Sequence, residues 1–127
     1  MKPLQHLVIL LFAVVLLAGC TVDVPPATSA TVSRYERGAP VRTWKLTEAQ
    51  LRAMSQWLKQ HPSGWSPSFV SYVPNVYVTI QHSNQEQSSI NISPVKVILN
   101  SAGNQVEHPF DPLVIKALLD TLEAKGG

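Results

Sequence analysis

The sequence predicts an α+β domain, a small antiparallel sheet of three to four strands with two amphipathic helices packed on one face. Two observations favour this fold. Apolar residues recur at helical spacing in residues 51–61 and 115–122, and apolar and polar residues alternate between these stretches, as they do in half-buried strands. A sheet flanked by helices in this way is typical of the α+β class. The domain is expected to occupy residues 41–127.

The first 19 residues are predicted to be a cleaved secretory signal peptide. Lys2 gives an early positive charge, and an apolar run extends from Leu7 to Ala18. This layout is typical of a signal peptide. The run is shorter than the roughly 20 apolar residues that a membrane-spanning helix needs. We therefore expect the segment to be absent from the mature protein.

The end of the apolar run carries a specific motif. Leu17-Ala18-Gly19-Cys20 resembles the lipobox of bacterial lipoprotein precursors. The resemblance implies that Cys20 receives a diacylglycerol, that cleavage occurs before it, and that the new amine is acylated, usually with a palmitate-like chain. The alternative is an ordinary thiol near a cleavage site, although a sole cysteine cannot form an internal disulfide. Two or three acyl chains would anchor the protein stably without crossing the membrane.

The residue after the cysteine bears on the location. In Gram-negative lipoproteins an Asp at this position retains the protein in the inner membrane, and here the residue is Thr21. By this analogy we expect the protein at the periplasmic face of the outer membrane, in the cell envelope.

Residues 20–40 are predicted to be a flexible tether. They include the pair Pro25 and Pro26 and few large apolar residues, which is typical of an extended spacer. An alternative for part of this segment is a short edge strand over residues 31–35. A further strand is expected at residues 41–46, where β-branched and aromatic residues are frequent.

Both helices have clear start signals. Thr47 as N-cap, with Gln50 three residues later, predicts a capping box for the first helix, and Pro62 predicts its end. Asp111 as N-cap and Pro112 at the first helical position predict the start of the second helix.

The region between the helices predicts a meander of short strands. Alternation predicts strands at residues 76–80, 88–93 and 95–99, with a short return strand at 105–108. Pro94 is expected at a strand end, because proline cannot donate to a sheet ladder. Residues 100–104 contain Gly103 and predict a turn.

Charge and motif content exclude several functions. With Lys2 removed, 9 basic and 8 acidic residues give a net charge of +1, without the basic cluster that nucleic-acid binding requires. His61, His82 and His108 lie far apart, which argues against a metal site. No serine lies in a G-x-S-x-G or S-x-x-K context. We therefore expect a protein that is not an enzyme and has no cofactor.

The stretch His61-Pro62-Ser63-Gly64-Trp65 has two interpretations. It is either a helix stop with an aromatic core residue, or part of a partner-binding surface formed by Trp65, Tyr72 and Tyr77. Trp and Tyr are common in interface hot spots. The predicted function is a binding or scaffolding module for another envelope component, most simply a protein. The alternative is an inhibitor or immunity-like protein that blocks an envelope hydrolase through a rigid loop such as residues 100–104.

Overall fold

The computed structural model describes residues 21–123, so the predicted signal peptide, its predicted cleavage position and Cys20 lie outside the described residues. A seven-stranded antiparallel sheet and two helices form the fold. The strands lie in the order β2-β1-β4-β5-β6-β7-β3. In chain order the elements are β1 (Ala27–Glu36), β2 (Ala39–Lys45), α1 (Glu48–Gln60), β3 (Ser66–Pro67), β4 (Val76–His82), β5 (Gln87–Ile92), β6 (Lys96–Ser101), β7 (Asn104–Pro109) and α2 (Pro112–Glu123).

The predicted fold class is wrong: the structure is a mostly β fold, a seven-stranded antiparallel sheet with two helices, where a sheet of three to four strands with both helices packed on one face was expected. The sheet is larger than expected. The main reason is that the predicted flexible tether, residues 20–40, contributes β1 and the start of β2. β1 is not the short edge strand of the alternative interpretation, because it lies between β2 and β4. Pairing on both sides satisfies its backbone, and Ala30 and Val32 fill the core face. Small side chains are enough to fill the core at a strand that is paired on both sides.

The predicted helix starts are confirmed. The Thr47 hydroxyl accepts a hydrogen bond from the Gln50 backbone N–H at 3.1 Å, and the Gln50 side-chain oxygen accepts from the Thr47 N–H at 2.9 Å. This reciprocal pair is the capping box. At the second helix, the Asp111 carboxylate accepts from the Leu113 N–H at 2.8 Å. The first helix ends at Gln60, directly before the cap residue His61.

One hydrophobic core joins the sheet to both helices. In β4 every second residue is buried, and Val32, Val78, Ile90 and Leu99 lie side by side on the core face of β1, β4, β5 and β6. Both helices contribute to this cluster. The buried apolar residues of this cluster are Ala30, Val32, Leu46, Met54, Leu58, Trp65, Val76, Val78, Ile80, Ile90, Ile92, Val97, Leu99, Ile115, Leu118 and Leu122, and Ile98 is buried outside it. The opposite face of the sheet carries mostly polar residues.

Gln50 connects the start of α1 to the end of α2. Its side-chain amide donates to the carbonyl oxygens of Thr121 and Leu122, at 3.3 and 3.2 Å. The Trp44 indole N–H also donates to the Leu122 carbonyl, at 2.9 Å. The last carbonyls of a helix have no partner within the helix, so these donors from α1 and β2 complete its end. An Arg34–Glu123 ion pair ties the same helix end to β1.

Gln50→Ala is expected to lower the free energy of unfolding by about 2 kcal/mol, because it removes the capping box and a donor to buried carbonyls. Gln60→Ala is the matched control, since Gln60 is exposed in the last turn of the same helix. Its effect should stay within about 0.5 kcal/mol. Chemical denaturation of both variants measures the difference, and equal losses would contradict the role of Gln50.

Candidate functional site

Residues 22–26, the N-terminal segment, are fixed against the domain. The Val22 N–H donates to the Pro62 carbonyl at 2.8 Å, and the Ser83 N–H donates to the Pro26 carbonyl at 3.2 Å. The Pro25 carbonyl lies 2.9 Å from the Nδ1 atom of His82. The segment is therefore part of the fold. The prediction of a flexible tether is thus wrong for residues 22–26 as well as for β1. The first fixed residue stands two positions after Cys20.

His82 is the central group in this attachment. Because the Pro25 carbonyl can only accept, Nδ1 carries the proton and donates to it. The other ring nitrogen, Nε2, lies 2.7 Å from the Ser88 hydroxyl, which in turn lies 2.9 Å from the Ser101 hydroxyl. The imidazole is buried at the end of β4 with both nitrogens paired. It joins the N-terminal segment to β5 and β6.

Ser88 and His82 are the residue types that form the nucleophile and the base of a catalytic triad. Their surroundings differ from those of a triad. The group that orients the imidazole is a backbone carbonyl, where catalytic triads have a carboxylate. Ser88 is only 4% exposed. The arrangement holds the chain in place and gives the serine oxygen no path to a substrate.

In the sequence, His82 was considered only as a candidate metal ligand, and its isolation argued against that role. The signal was present, since the alternation of Val76, Val78 and Ile80 continues to position 82 and places the imidazole on the core face. A buried polar group needs partners. This pattern predicts that His82 has hydrogen-bond partners, but not which residues supply them.

A pocket lies between the N-terminal segment and α1, with a volume of about 430 Å³. Its apolar lining includes Val22, Val24, Leu51, Leu58 and Ile80. Charged residues also line it, two basic residues of α1 and one acidic residue of the N-terminal segment: Arg52, Lys59 and Asp23. The pocket thus combines an apolar wall with a charged border.

The stretch from His61 to Trp65 is a helix stop with a core residue. Trp65 is 2% exposed, and its indole N–H donates to the His61 carbonyl at 2.7 Å. Gly64 has a φ of +88°, and a Cβ atom there would stand 2.5 Å from the Nε2 atom of His108. Glycine is therefore required by both the backbone and the packing. Trp65 belongs to the core and is not available to a partner surface.

The imidazole of His61 also packs among aromatic side chains. Its ring centroid lies 4.6 Å from that of Trp57 and 5.1 Å from that of Phe110. Burial, and then the positive charge that His108 can carry, lower the pKa of His61 below its ordinary value. The neutral imidazole is therefore the form that suits this packing.

Tyr72 and Tyr77 lie together on the other face of the sheet. Tyr77 belongs to the half-buried set of β4 that points away from the core. The Tyr72 side chain lies close to the side chains of Asn100 and Ser89, which are neighbours in the sheet register. Burial, and then the proximity of Tyr77, raise the pKa of Tyr72, while the polar side chains of Asn100 and Ser89 act in the opposite direction. The structure thus brings together two of the three residues of the predicted surface.

The 68–75 loop crosses this face and exposes large apolar side chains. Phe69 is 95% exposed, Val70 63% and Val73 68%. The loop backbone is nevertheless held at both ends. The Ser68 N–H donates to the Gln105 carbonyl at 2.9 Å, and the Asn75 N–H donates to the Asn91 side-chain oxygen at 2.9 Å.

A third contact fixes the middle of the loop. The Gln105 side-chain amide donates to the Val70 carbonyl at 3.0 Å. Sequence reasoning missed Phe69, Val70 and Val73, because apolar residues are ordinarily assigned to a core. The signal was their lack of strand or helix periodicity between Pro67 and Pro74.

Trp65→Ala is expected to lower the free energy of unfolding by about 3–5 kcal/mol, because it leaves a large cavity in the core. Phe69→Ala removes another aromatic side chain, but an exposed one, and should change stability by less than about 0.5 kcal/mol. Denaturant titration of the two variants measures both values. A small loss for Trp65→Ala would contradict its assignment to the core.

The candidate site therefore has two parts, the fixed N-terminal segment with its pocket and the 68–75 loop on the opposite sheet face. Within residues 21–123, no helix has the length and hydropathy to span a membrane. In the same residues, no three His, Cys, Asp or Glu side chains converge on a point that would hold a metal ion. Comparisons of the chain with protein-family models, curated proteins and solved structures found no match.

Proposed function

We propose that the protein is a lipoprotein anchored through Cys20 at the periplasmic face of the outer membrane, where it binds another envelope protein through the 68–75 loop. The observation that carries the binding role is the exposure of Phe69, Val70 and Val73 on a loop whose backbone is held in place. Contiguous exposed apolar residues in a folded domain are typical of interaction sites.

The fixed backbone favours binding in a further way. A loop held by Gln105 and Asn91 loses little conformational entropy when a partner covers it. Phe69 then acts as an aromatic anchor of the kind that dominates interface energetics. Tyr72 belongs to the loop itself and lies close to Tyr77 of β4. The proposed contact surface is therefore Phe69, Val70 and Val73, with Tyr72 and Tyr77 beside them and Trp65 no longer part of it.

The position of the anchor supports a partner in or on the same membrane. Only Cys20 and Thr21 precede the fixed residue Val22, and two extended residues span at most about 7 Å. A lipid on Cys20 would therefore hold the domain against the bilayer surface. The 68–75 loop lies on the sheet face that points away from the core.

The alternative function, inhibition of an envelope hydrolase through residues 100–104, has one supporting observation. The β6–β7 turn is tight, with Ala102 and Gly103 both at positive φ, of 51° and 80°. Its tip is rigid, but it offers only the small side chains of these two residues. The 68–75 loop offers the larger apolar contact and is the preferred surface.

A photoreactive amino acid at position 69, activated in living cells, is expected to capture one abundant envelope protein. The same probe at position 102 tests the alternative surface. Mass spectrometry of the adducts identifies the partner in each case. An adduct at position 69 alone supports the proposal. A hydrolase captured only at position 102 would favour the inhibitor, and a folded protein with no adduct at either position would contradict both.

The anchor is tested separately by Cys20→Ser. This variant should accumulate as an unprocessed precursor without lipid, because the cysteine thiol is the atom that would be modified. Intact-mass measurement of the mature wild-type protein is the matched control and should give the mass of residues 20–127 plus the lipid. A Cys20→Ser protein that still matures and still requires detergent would contradict the anchor.

A further inference from the structure

We propose that the pocket between the N-terminal segment and α1 holds one fatty acyl chain of the lipid on Cys20. The lipid itself belongs to the proposed function, and the inference rests on it to that extent. The new element is a binding site within the domain for part of the anchor. One acyl chain would lie in the protein, and the rest of the lipid would lie in the bilayer.

The size and lining of the pocket fit an acyl chain. A dry apolar cavity of about 150 Å³ admits benzene. The pocket, at about 430 Å³, has room for most of a fatty acyl chain. Its lining includes the apolar residues Val22, Val24, Leu51, Leu58 and Ile80, together with the polar residues Ser55 and Gln56. The apolar residues offer contacts to a hydrocarbon chain.

The charged border fits the polar end of a lipid. Arg52 and Lys59 lie seven positions apart on α1, which places them on one side of the helix, and both line the pocket. Asp23 lies at the same border, so the local formal charge is one positive unit. Ester carbonyls and neighbouring phosphate groups are acceptors and anions that these basic side chains can bind.

Proximity selects the chain on Cys20 over other lipids. The pocket lining begins at Val22, two positions after Cys20. A chain attached to Cys20 enters an intramolecular equilibrium, whose effective concentration is far higher than that of a lipid in the bilayer. The hydrogen bonds of Val22 and Pro25 keep this wall in place beside α1.

The test uses the full-length lipoprotein in cells grown with a fatty acid that carries a photoactivatable diazirine. The label enters both the lipid of Cys20 and the membrane phospholipids. After irradiation, proteolysis and mass spectrometry should reveal the Cys20 peptide crosslinked through its acyl chain to the α1 peptide or to the peptide containing Ile80. This crosslink supports the proposal.

Two variants make the test specific. Ser55→Phe introduces a ring at a residue that lines the pocket without removing a core side chain, and it should abolish the crosslink. Gln60→Phe places the same ring on the exposed side of α1 and should leave the crosslink unchanged. Thermal melting of both variants confirms that the fold is retained. Equal crosslinking in both would overturn the assignment of the pocket.

The remaining outcomes separate this inference from the anchor itself. A phospholipid adduct on the α1 peptide, without a crosslink to Cys20, would overturn the choice of the Cys20 chain. A lipidated Cys20 peptide that crosslinks only to phospholipid would overturn the inference and leave the anchor in place. A mature protein whose mass contains no lipid would overturn both.

Discussion

The hydrogen bond from the His82 imidazole to the Pro25 carbonyl is the interaction on which the candidate site depends. It joins the N-terminal segment to the sheet at the point where β4 ends, and the hydroxyls of Ser88 and Ser101 extend the connection to β5 and β6. The imidazole is buried, so breaking the bond would leave a polar nitrogen without a partner, which is costly. The chain after Cys20 is therefore held by the core.

Two structural consequences follow from this attachment. The N-terminal segment forms one wall of the pocket, whose other wall is α1. The spacer between the proposed lipid and the domain shrinks to Cys20 and Thr21, where the sequence had predicted about 20 residues. A long flexible spacer would let a partner approach from any side. A short one, with the proposed lipid on Cys20, would limit which side of the domain can face the bilayer.

The elements that were predicted correctly are those whose signals are local. Thr47 with Gln50, and Asp111 with Pro112, mark helix starts through contacts within one turn, and alternation identifies β4 to β7. β1 depends instead on distant partners, because its small and polar residues form a strand only when β2 and β4 pair with it. Pro25 and Pro26 were interpreted as signs of a flexible tether, yet proline carbonyls accept hydrogen bonds as well as any others.

The candidate site was harder to predict than the fold, because it depends even more on contacts between residues that are distant in sequence. Trp65 was correctly considered as a core residue, but its burial depends on His108, which lies far away in sequence. The exposure of Phe69 depends on the contacts of Gln105, which fix the loop with its apolar side chains outward. No local pattern contains that information. Tertiary contacts decide which aromatic residue is buried and which is free.

We propose that the fixed N-terminal segment holds the domain directly against the membrane. Nitroxide labels at Ser63→Cys and Glu36→Cys test it in the mature lipoprotein on vesicles, because lipid on Cys20 leaves only the introduced thiol reactive. Ser63 adjoins Pro62, the partner of Val22, whereas Glu36 lies at the far end of the 10-residue strand β1.

The measured quantity is the broadening of each nitroxide's electron paramagnetic resonance spectrum by a paramagnetic ion that is chelated to lipid headgroups. We expect strong broadening at position 63 and weak broadening at position 36, since ten strand residues at about 3.3 Å each span roughly 30 Å. Equal and weak broadening at both positions would show a domain that moves freely on a tether. That result would contradict the attachment of the N-terminal segment.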